Sequence, residues 1–295
     1  MIKIKNCPIC NNEDLIHYTN CRDHTVSKDE FPIVSCETCL LKITSPRPSE
    51  SEIDKFYESE NYISHTNRKS SFFDWVYQLV RVYTTERKVW LLKRNTKGRV
   101  HLDYGCGTGE FLNACAKSGF ETHGVEPSKK ARTLAEKNYN LSVTGNTDLS
   151  NFKKGEIKSI SLWHVLEHVD NLNNLIKQIK KILSEEGKVF IAVPNHESWD
   201  CDYYKEYWAA WDVPIHYWHF SSKAVVKLFK KHGFKLVQKK PMLFDSFYIS
   251  LLSEKYRNGK YNFIKSFIIG FASNLIGAFS KKGYSSQIYI FEKIK

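Results

Sequence analysis

Four parts of the 295-residue chain carry residue types whose spacing can do chemistry. Cys7 and Cys10, then Cys36 and Cys39, form two Cys-x2-Cys pairs separated by 25 residues. Two-residue spacing lets both thiolates of a pair reach one tetrahedral ion, and four thiolates leave no open position, so the expected metal is a structural Zn²⁺. The alternative is four unlinked thiols in a segment with too little core to fold unaided. Cys21, His17 and His24 lie between the pairs and are substitute ligands, but the symmetric set is preferred. Cys106, Cys115 and Cys201 read as packing or loop residues.

In LDYGCGTGEF, residues 102–111, Gly105, Gly107 and Gly109 follow directly on an apolar run. A glycine turn between a strand and a helix lets a ligand touch the backbone and exposes helix N-terminal amides. The spacing is G-x-G-x-G, and Glu110 stands where the dinucleotide loop has its third glycine. A carboxylate there is awkward against a pyrophosphate and acceptable for a ligand without one.

Two histidine-rich stretches complete the set. In WHVLEHV, residues 163–169, His164, Glu167 and His168 fall at i, i+3 and i+4 and can share a helical face. In WAAWDVPIHYWHFS, residues 208–221, His216 and His219 lie among Trp208, Trp211, Tyr217, Trp218 and Phe220. A histidine with an ordinary pKa is a natural base for taking a proton from a hydroxyl. The competing reading makes the aromatics core, His219 a cap for a helix starting at Ser221, and the His164–His168 cluster local packing.

The elements that must position these residues are legible from periodicity. Residues 1–45 are polar and Cys-rich and end in a Pro/Ser break at 45–50; residues 46–98 read as a helical lead-in or cap. From residue 99, strands and helices alternate: RVHLDY, THGVEP, LSVTG, IKSISLWHV and GKVFIAVPN are strands, with helices between them closed by Gly119 and Gly233. FKLVQKKPM and SQIYIFEKI are two final strands. Such alternation predicts an α/β fold with a doubly wound parallel sheet. The aromatic insert, 195–220, lies beyond a strand's carboxyl end, where open α/β sheets bind ligands.

LDYGCGTGEF resembles motif I of the class I S-adenosylmethionine (SAM) methyltransferases, and residues 99–295 follow that family's order of elements. The resemblance implies a Rossmann-like seven-stranded sheet with its last strand antiparallel, preceded by a small zinc-binding module. It assigns the glycine loop, Gly105, Cys106, Gly107 and Gly109, and Asp103 before it, to the methionine end of SAM. Glu126, in GVEPS, matches the acidic residue that holds the ribose hydroxyls, and Asn146 and Thr147 (or Asp148) follow the third strand where adenine is faced. His164 closes the expected cofactor set. WHVLEHV also resembles a segment of the ubiquinone-biosynthesis O-methyltransferases in which Glu-x-x-Glu-His binds a divalent cation; His164 stands at the first acidic position here, and local packing is preferred. The insert resembles a D-x-P-x-H-x-x-H-F segment that lines the acceptor pocket. The base is therefore expected at His219 or His216, with His164 and His168 next.

The formal net charge is +12, but the basic residues are mostly Lys scattered singly and in pairs, with nine Arg. A phosphate-reading groove leans on Arg, so the charge argues against a dedicated nucleic-acid role. MIKIKNCPIC has no long apolar run and no small-residue cleavage site, so it does not read as a secretory leader, and a cytoplasmic location is expected. FIKSFIIGFASNLIGAF, residues 263–279, is too short and polar for a transmembrane span and reads as a core helix or dimer surface, with peripheral membrane contact the lesser reading. The function expected is methyl transfer from SAM to a small molecule: a sugar or nucleotide-sugar, a lipid or a quinone-like hydroxyl. The alternatives are an RNA-modifying methyltransferase gripping RNA through the zinc module, and a SAM-binding protein without catalysis.

Overall fold

A computed structural model describes residues 1–49, 51–57 and 72–294. Part of the expected helical lead-in, residues 58–71, lies outside the described residues. The central sheet has seven strands in the order β10-β11-β8-β7-β4-β5-β6. These are β4 (Val100–Tyr104), β5 (Glu121–Val125), β6 (Val143–Thr144), β7 (Ile157–Trp163), β8 (Leu183–Pro194), β10 (Phe234–Pro241) and β11 (Ser286–Lys293). Strands β4 to β8 pair in parallel, and β11 runs antiparallel to both β8 and β10, as expected for the last strand.

Both faces of this sheet are covered, which is why its central strands are continuous apolar runs. In β8, Val189, Ile191 and Val193 enter the main core, while Phe190 and Ala192 enter a second core on the other face. The main core receives α4 (Leu172–Ile182), whose Leu172, Leu175, Ile176, Ile179 and Ile182 recur at helical spacing and are buried, and α6 (Ser222–Lys231). Each such side chain contributes about 1.5–3 kcal/mol by leaving water. The second core receives α1 (Phe72–Asn95) through Val89, Leu91 and Leu92, and α2 (Glu110–Lys117) through Phe111 and Cys115. Helix α3 (Lys129–Tyr139) follows β5, its N-terminus capped by the Ser128 hydroxyl.

The N-terminal residues build a second sheet from β1 (Leu15–Arg22), β2 (Glu30–Cys36) and β3 (Leu41–Thr44). Its fourth strand, β9 (Trp218–His219), comes from the aromatic insert, with Ile43 opposite Trp218 and Lys42 opposite His219. Cys7, Ile9, Cys36, Cys39 and Leu41 belong to the same core cluster as Leu102 and Phe220. The insert also contains α5 (Trp199–Tyr204), and its buried Asp200 accepts from Trp208 Nε1 (2.8 Å), Ser273 Oγ (2.6 Å) and Ser285 Oγ (2.6 Å). Two helices, α7 (Asp245–Asn258) and α8 (Phe263–Phe279), form a hairpin between β10 and β11. They pack closely: a Cβ on Gly270 would meet Phe247 Cα at 2.9 Å.

Candidate cofactor and acceptor site

The three loop glycines are glycines for different reasons. A Cβ on Gly105 would stand 2.4 Å from Val165 Cγ2, and one on Gly109 would stand 2.9 Å from Ala135 Cβ. Those two positions are filled by the protein itself. A Cβ on Gly107 would meet no atom within 4 Å, so the turn there borders open space. Gly107 N–H donates to Glu126 Oε2 (2.9 Å), and Ser128 N–H donates to Glu126 Oε1 (2.9 Å). The carboxylate expected to hold ribose is thereby fixed against the loop. Cys106 is buried, and its N–H bonds the Val125 carbonyl (3.1 Å). Asn146 and Thr147 are exposed just past β6, with Tyr104 OH reaching the Thr147 carbonyl (3.4 Å).

Asp103 is buried at the end of β4, and Ser161 Oγ donates to its Oδ1 at 2.5 Å. A hydroxyl has one proton, so the same oxygen accepts from His101 Nε2 (3.1 Å). Burial raises Asp103 to about 7, against the Ser161 hydrogen bond and the nearby Lys88 cation. Lys88 lies over the Trp163 ring, 4.6 Å from its centroid. Burial pushes the thiols of Cys106, Cys115 and Cys201 up, so none is a reactive thiolate.

Beyond β7 the expected helical face does not form. His164 takes a left-handed backbone (φ 56°), and only a 3₁₀ turn, Leu166–His168, follows before α4 begins. Such a conformation at a non-glycine residue costs about 1–3 kcal/mol and is held by its surroundings. His164 Nε2 meets Asp245 Oδ2 at 2.9 Å, and its Nδ1 stands 3.4 Å from Glu167 Oε1. Burial opposes a charge on this ring, but the two carboxylates carry it up to about 10.

Glu167, His168 and His216 come together, with one ligand atom from each lying within 4.8 Å of the others. His168 Nδ1 bonds the Ile215 carbonyl (3.0 Å), and His216 Nδ1 bonds the Ala210 carbonyl (2.9 Å). A carbonyl only accepts, so both rings carry the proton on Nδ1 and present a lone pair on Nε2. Burial holds both below the usual histidine range, His168 at about 4. Asp212 Oδ2 lies 3.9 Å from His216 Nε2, and burial raises this carboxyl to about 6. Glu167 is 1% exposed, and neither of its oxygens has a hydrogen-bond partner.

His219 faces the other way, toward the N-terminal sheet. Its Nε2 meets Thr44 Oγ1 at 2.9 Å, and that hydroxyl donates to the His216 carbonyl (2.7 Å), so the ring donates. His219, His216, His196, Trp208 and Trp218 line one small pocket. Asp245, Ser161 and Thr44 carried no sequence signal and reach the site only through the fold; Asp212 is the aspartate of the D-x-P-x-H-x-x-H-F segment. At the N-terminus, Cys7 Sγ lies 3.4 Å from Cys39 Sγ and Cys10 Sγ 3.4 Å from Cys36 Sγ, with all four sulfurs mutually within 4.8 Å. Four sulfurs tetrahedral about one Zn²⁺ stand about 3.8 Å apart, so the set fits the ion.

The sheet order, the antiparallel last strand and the glycine turn facing Glu126 define a class I SAM-dependent methyltransferase. A model of the methyltransferase domain family matches residues 77–239, more than half of the chain, and the protein belongs to that family. An uncharacterized protein of Methanocaldococcus jannaschii is 30% identical over 165 residues, 55% of this chain and 77% of that protein. A ubiquinone biosynthesis O-methyltransferase of Pelagibacter ubique is 32% identical over 101 residues, 32% of this chain and only 41% of that enzyme. Among solved structures, magnesium protoporphyrin IX methyltransferase of Synechocystis PCC 6803 with bound SAH has a TM-score of 0.54 at 13% identity, covering 83% of this chain and 100% of that one. A SAM-dependent methyltransferase of Archaeoglobus fulgidus has a TM-score of 0.50 at 18% identity, covering 76% and 100%. At such identities the likeness is one of fold.

Proposed function

We propose that this methyltransferase acts on a hydroxyl of a small molecule, a sugar or nucleotide-sugar, a lipid or a quinone-like phenol, with histidine assistance. Asp103, Gly105, Cys106, Gly107, Gly109 and Glu126 hold SAM, with Asn146 and Thr147 at the adenine edge and His164 beside the loop. SAM supplies an electrophilic methyl on a sulfonium centre. Of His164, His168, His216 and His219, the base is His216. His164 is already protonated near neutral pH, and His219 commits its Nε2 proton to Thr44. With SAM bound, His216 Nε2 would take the proton of the acceptor hydroxyl as its oxygen received the methyl, the sulfur keeping the carbon–sulfur electron pair. The remaining residues supply alignment.

The observation that carries this reading is the His216 ring, fixed by the Ala210 carbonyl so that a neutral Nε2 faces Glu167. The test is methyl transfer from SAM across a panel of sugars, phenols and lipid alcohols. His216→Ala is expected to lower turnover about 10²–10⁴-fold with SAM affinity nearly unchanged. Full turnover in His216→Ala would overturn the assignment. An RNA acceptor, the competing class, would show itself as binding that weakens steeply with salt.

A second reading is favoured by one observation: the buried Glu167 carboxylate has no hydrogen bond, only the ion pair with His164 at 3.4 Å. Glu167, His168 and His216 offer two imidazole nitrogens and a carboxylate, a donor set for a divalent cation that would lower the pKa of the acceptor hydroxyl. Metal analysis of the Cys7→Ser, Cys36→Ser protein separates it: a retained ion lost again in Glu167→Gln supports the reading, and no ion sinks it. The N-terminal cysteines, in a module of residues 1–45 ahead of the 46–98 lead-in and the 99–295 transferase domain, hold a structural Zn²⁺. Eight free thiols suit the reducing cytoplasm.

A further inference from the structure

Helix α8 is apolar on the wrong side. The stripe it turns inward is small and partly polar: Ser266, Gly270, Ser273 and Gly277 are buried against α7 and its surroundings, with Ile269 between them. The stripe it turns outward is large and apolar. Ile264, Phe267, Phe271, Leu275 and Phe279 recur every three or four residues and are 78%, 63%, 57%, 52% and 87% exposed. A helix of a water-facing domain shows the opposite arrangement. Contiguous exposed apolar surface on this scale marks a docking site.

The charges around the stripe identify what docks. Arg257 and Lys260 precede α8, and Lys281 and Lys282 follow it; all four are exposed. From residue 255 to 291 the sequence contains no Asp or Glu. Lys265 is already matched by Glu254 (2.9 Å), and Lys282 is paired with Asp202. The remaining cations frame both ends of an apolar stripe about 26 Å long at 1.5 Å per residue. No helix among the described residues is long and apolar enough to cross a membrane. An apolar stripe bordered by cations instead lies in the plane of an anionic bilayer surface, with aromatic and aliphatic side chains sunk to the level of the acyl boundary. A second copy fits worse: parallel or antiparallel pairing of two α8 helices brings cations against cations at both ends.

We infer that α8 seats this protein on anionic lipid membranes. The inference is independent of the acceptor's identity. Helix α7, paired with α8, begins at Asp245, the residue that bonds His164, so the seated helix hairpin reaches the edge of the candidate site.

The test is cosedimentation of the full chain with vesicles of phosphatidylcholine alone and of phosphatidylcholine mixed with phosphatidylglycerol. Wild type is expected to pellet with the anionic vesicles and to remain mostly in solution with the neutral ones. Ile264→Ser, Phe267→Ser, Phe271→Ser should stay in the supernatant in both cases. Lys260→Glu, Lys281→Glu should bind anionic vesicles about tenfold or more weakly, at about fivefold per cation near the surface. Unaltered SAM binding certifies that each variant is folded. Wild type that ignores anionic vesicles overturns the inference. So does a wild-type dimer by sedimentation velocity that the triple serine variant splits, because a second copy would then be the occupant.

Discussion

Gly107 gives its backbone N–H to the carboxylate of Glu126, 19 residues away, at 2.9 Å. One hydrogen bond thus ties the glycine turn after β4 to the acidic end of β5, the two loops that a SAM molecule would bridge. Glu126→Ala removes the brace of the turn together with the proposed ribose acceptor. SAM affinity measured by calorimetry should fall by about 1.5–3 kcal/mol, the range for charge-assisted hydrogen bonds. Gly107→Ala should also weaken SAM binding; its Cβ enters open space, but the left-handed backbone there (φ 54°) favours glycine, so thermal stability should fall as well, by about 1–2 kcal/mol. An unchanged SAM affinity in both variants would place the cofactor elsewhere.

Asp103 makes SAM binding depend on pH. Burial raises this carboxyl to about 7, so free protein holds a proton there below neutrality. A cationic ligand favours the carboxylate, so binding expels that proton and affinity rises as pH increases toward 7, by at most about tenfold per unit. Calorimetry in two buffers of different ionisation enthalpy should reveal the proton release at pH 6. Asp103→Asn should abolish it. For stability the sign is opposite: folded protein binds more protons here than unfolded chain between the ordinary Asp range and pH 7, so this residue's contribution falls as pH rises.

The buried histidines act the other way. Burial lowers His101 and His196 to about 3 and His168 to about 4, and it lowers His216 and His219 as well. Each is neutral in the fold and would charge on unfolding below its ordinary pKa near 6.5. Their contribution is present above that pH and is lost as pH falls toward 4, at up to about 1.4 kcal/mol per unit for each ring. The melting temperature should drop steeply between pH 6.5 and 4, and less steeply in His101→Asn. His164, raised to about 10, contributes stability that is full below its ordinary pKa near 6.5 and is lost as pH rises from there to about 10, so it leaves the acid limb unchanged.

Zinc should be measurable as about one ion per chain, bound by Cys7, Cys10, Cys36 and Cys39. Chelation should lower the melting temperature and quench the signal of a Co²⁺-substituted protein. Wild type that is metal-free and equally stable would refute the assignment.

Asp200 is a fully buried carboxylate whose three donors come from the insert, α8 and the chain entering β11. Asp200→Ala leaves those donors unpaired and should destabilise the fold by about 3–5 kcal/mol, read from urea unfolding. A loss below about 1 kcal/mol would mean that the network carries little of the insert's order.

What could be read without the structure was what repeats locally. Alternating strands, helix caps such as Ser128 and the glycine turn follow from periodicity and backbone chemistry within a few residues, and they pointed to a doubly wound parallel sheet; the seven strands and the antiparallel last one were implied by the resemblance to the SAM methyltransferases. His164–His168 do not form the expected helical face: His164 takes a left-handed turn and pairs with Asp245, 81 residues on, a contact no local pattern announces. The partners of His219 and His216 were hidden for the same reason. Thr44 and the Ala210 carbonyl belong to no pattern; they meet the rings only once distant segments are packed. The outward apolar stripe of α8 was visible as composition, but which side faces the protein depends on α7.

The two-residue strand β9 closes the edge of β3 across some 175 residues of intervening chain. On a ribosome adding about 5–20 residues per second, the N-terminal sheet must wait roughly 10–35 s with an open edge before its last strand emerges. The N-terminal sheet, made before the methyltransferase sheet, is thus completed late. Until Trp218 and His219 arrive, the exposed row of N–H and C=O groups on β3 is free to recruit another strand, and a nascent chain stalled or cut before residue 218 would carry that open edge.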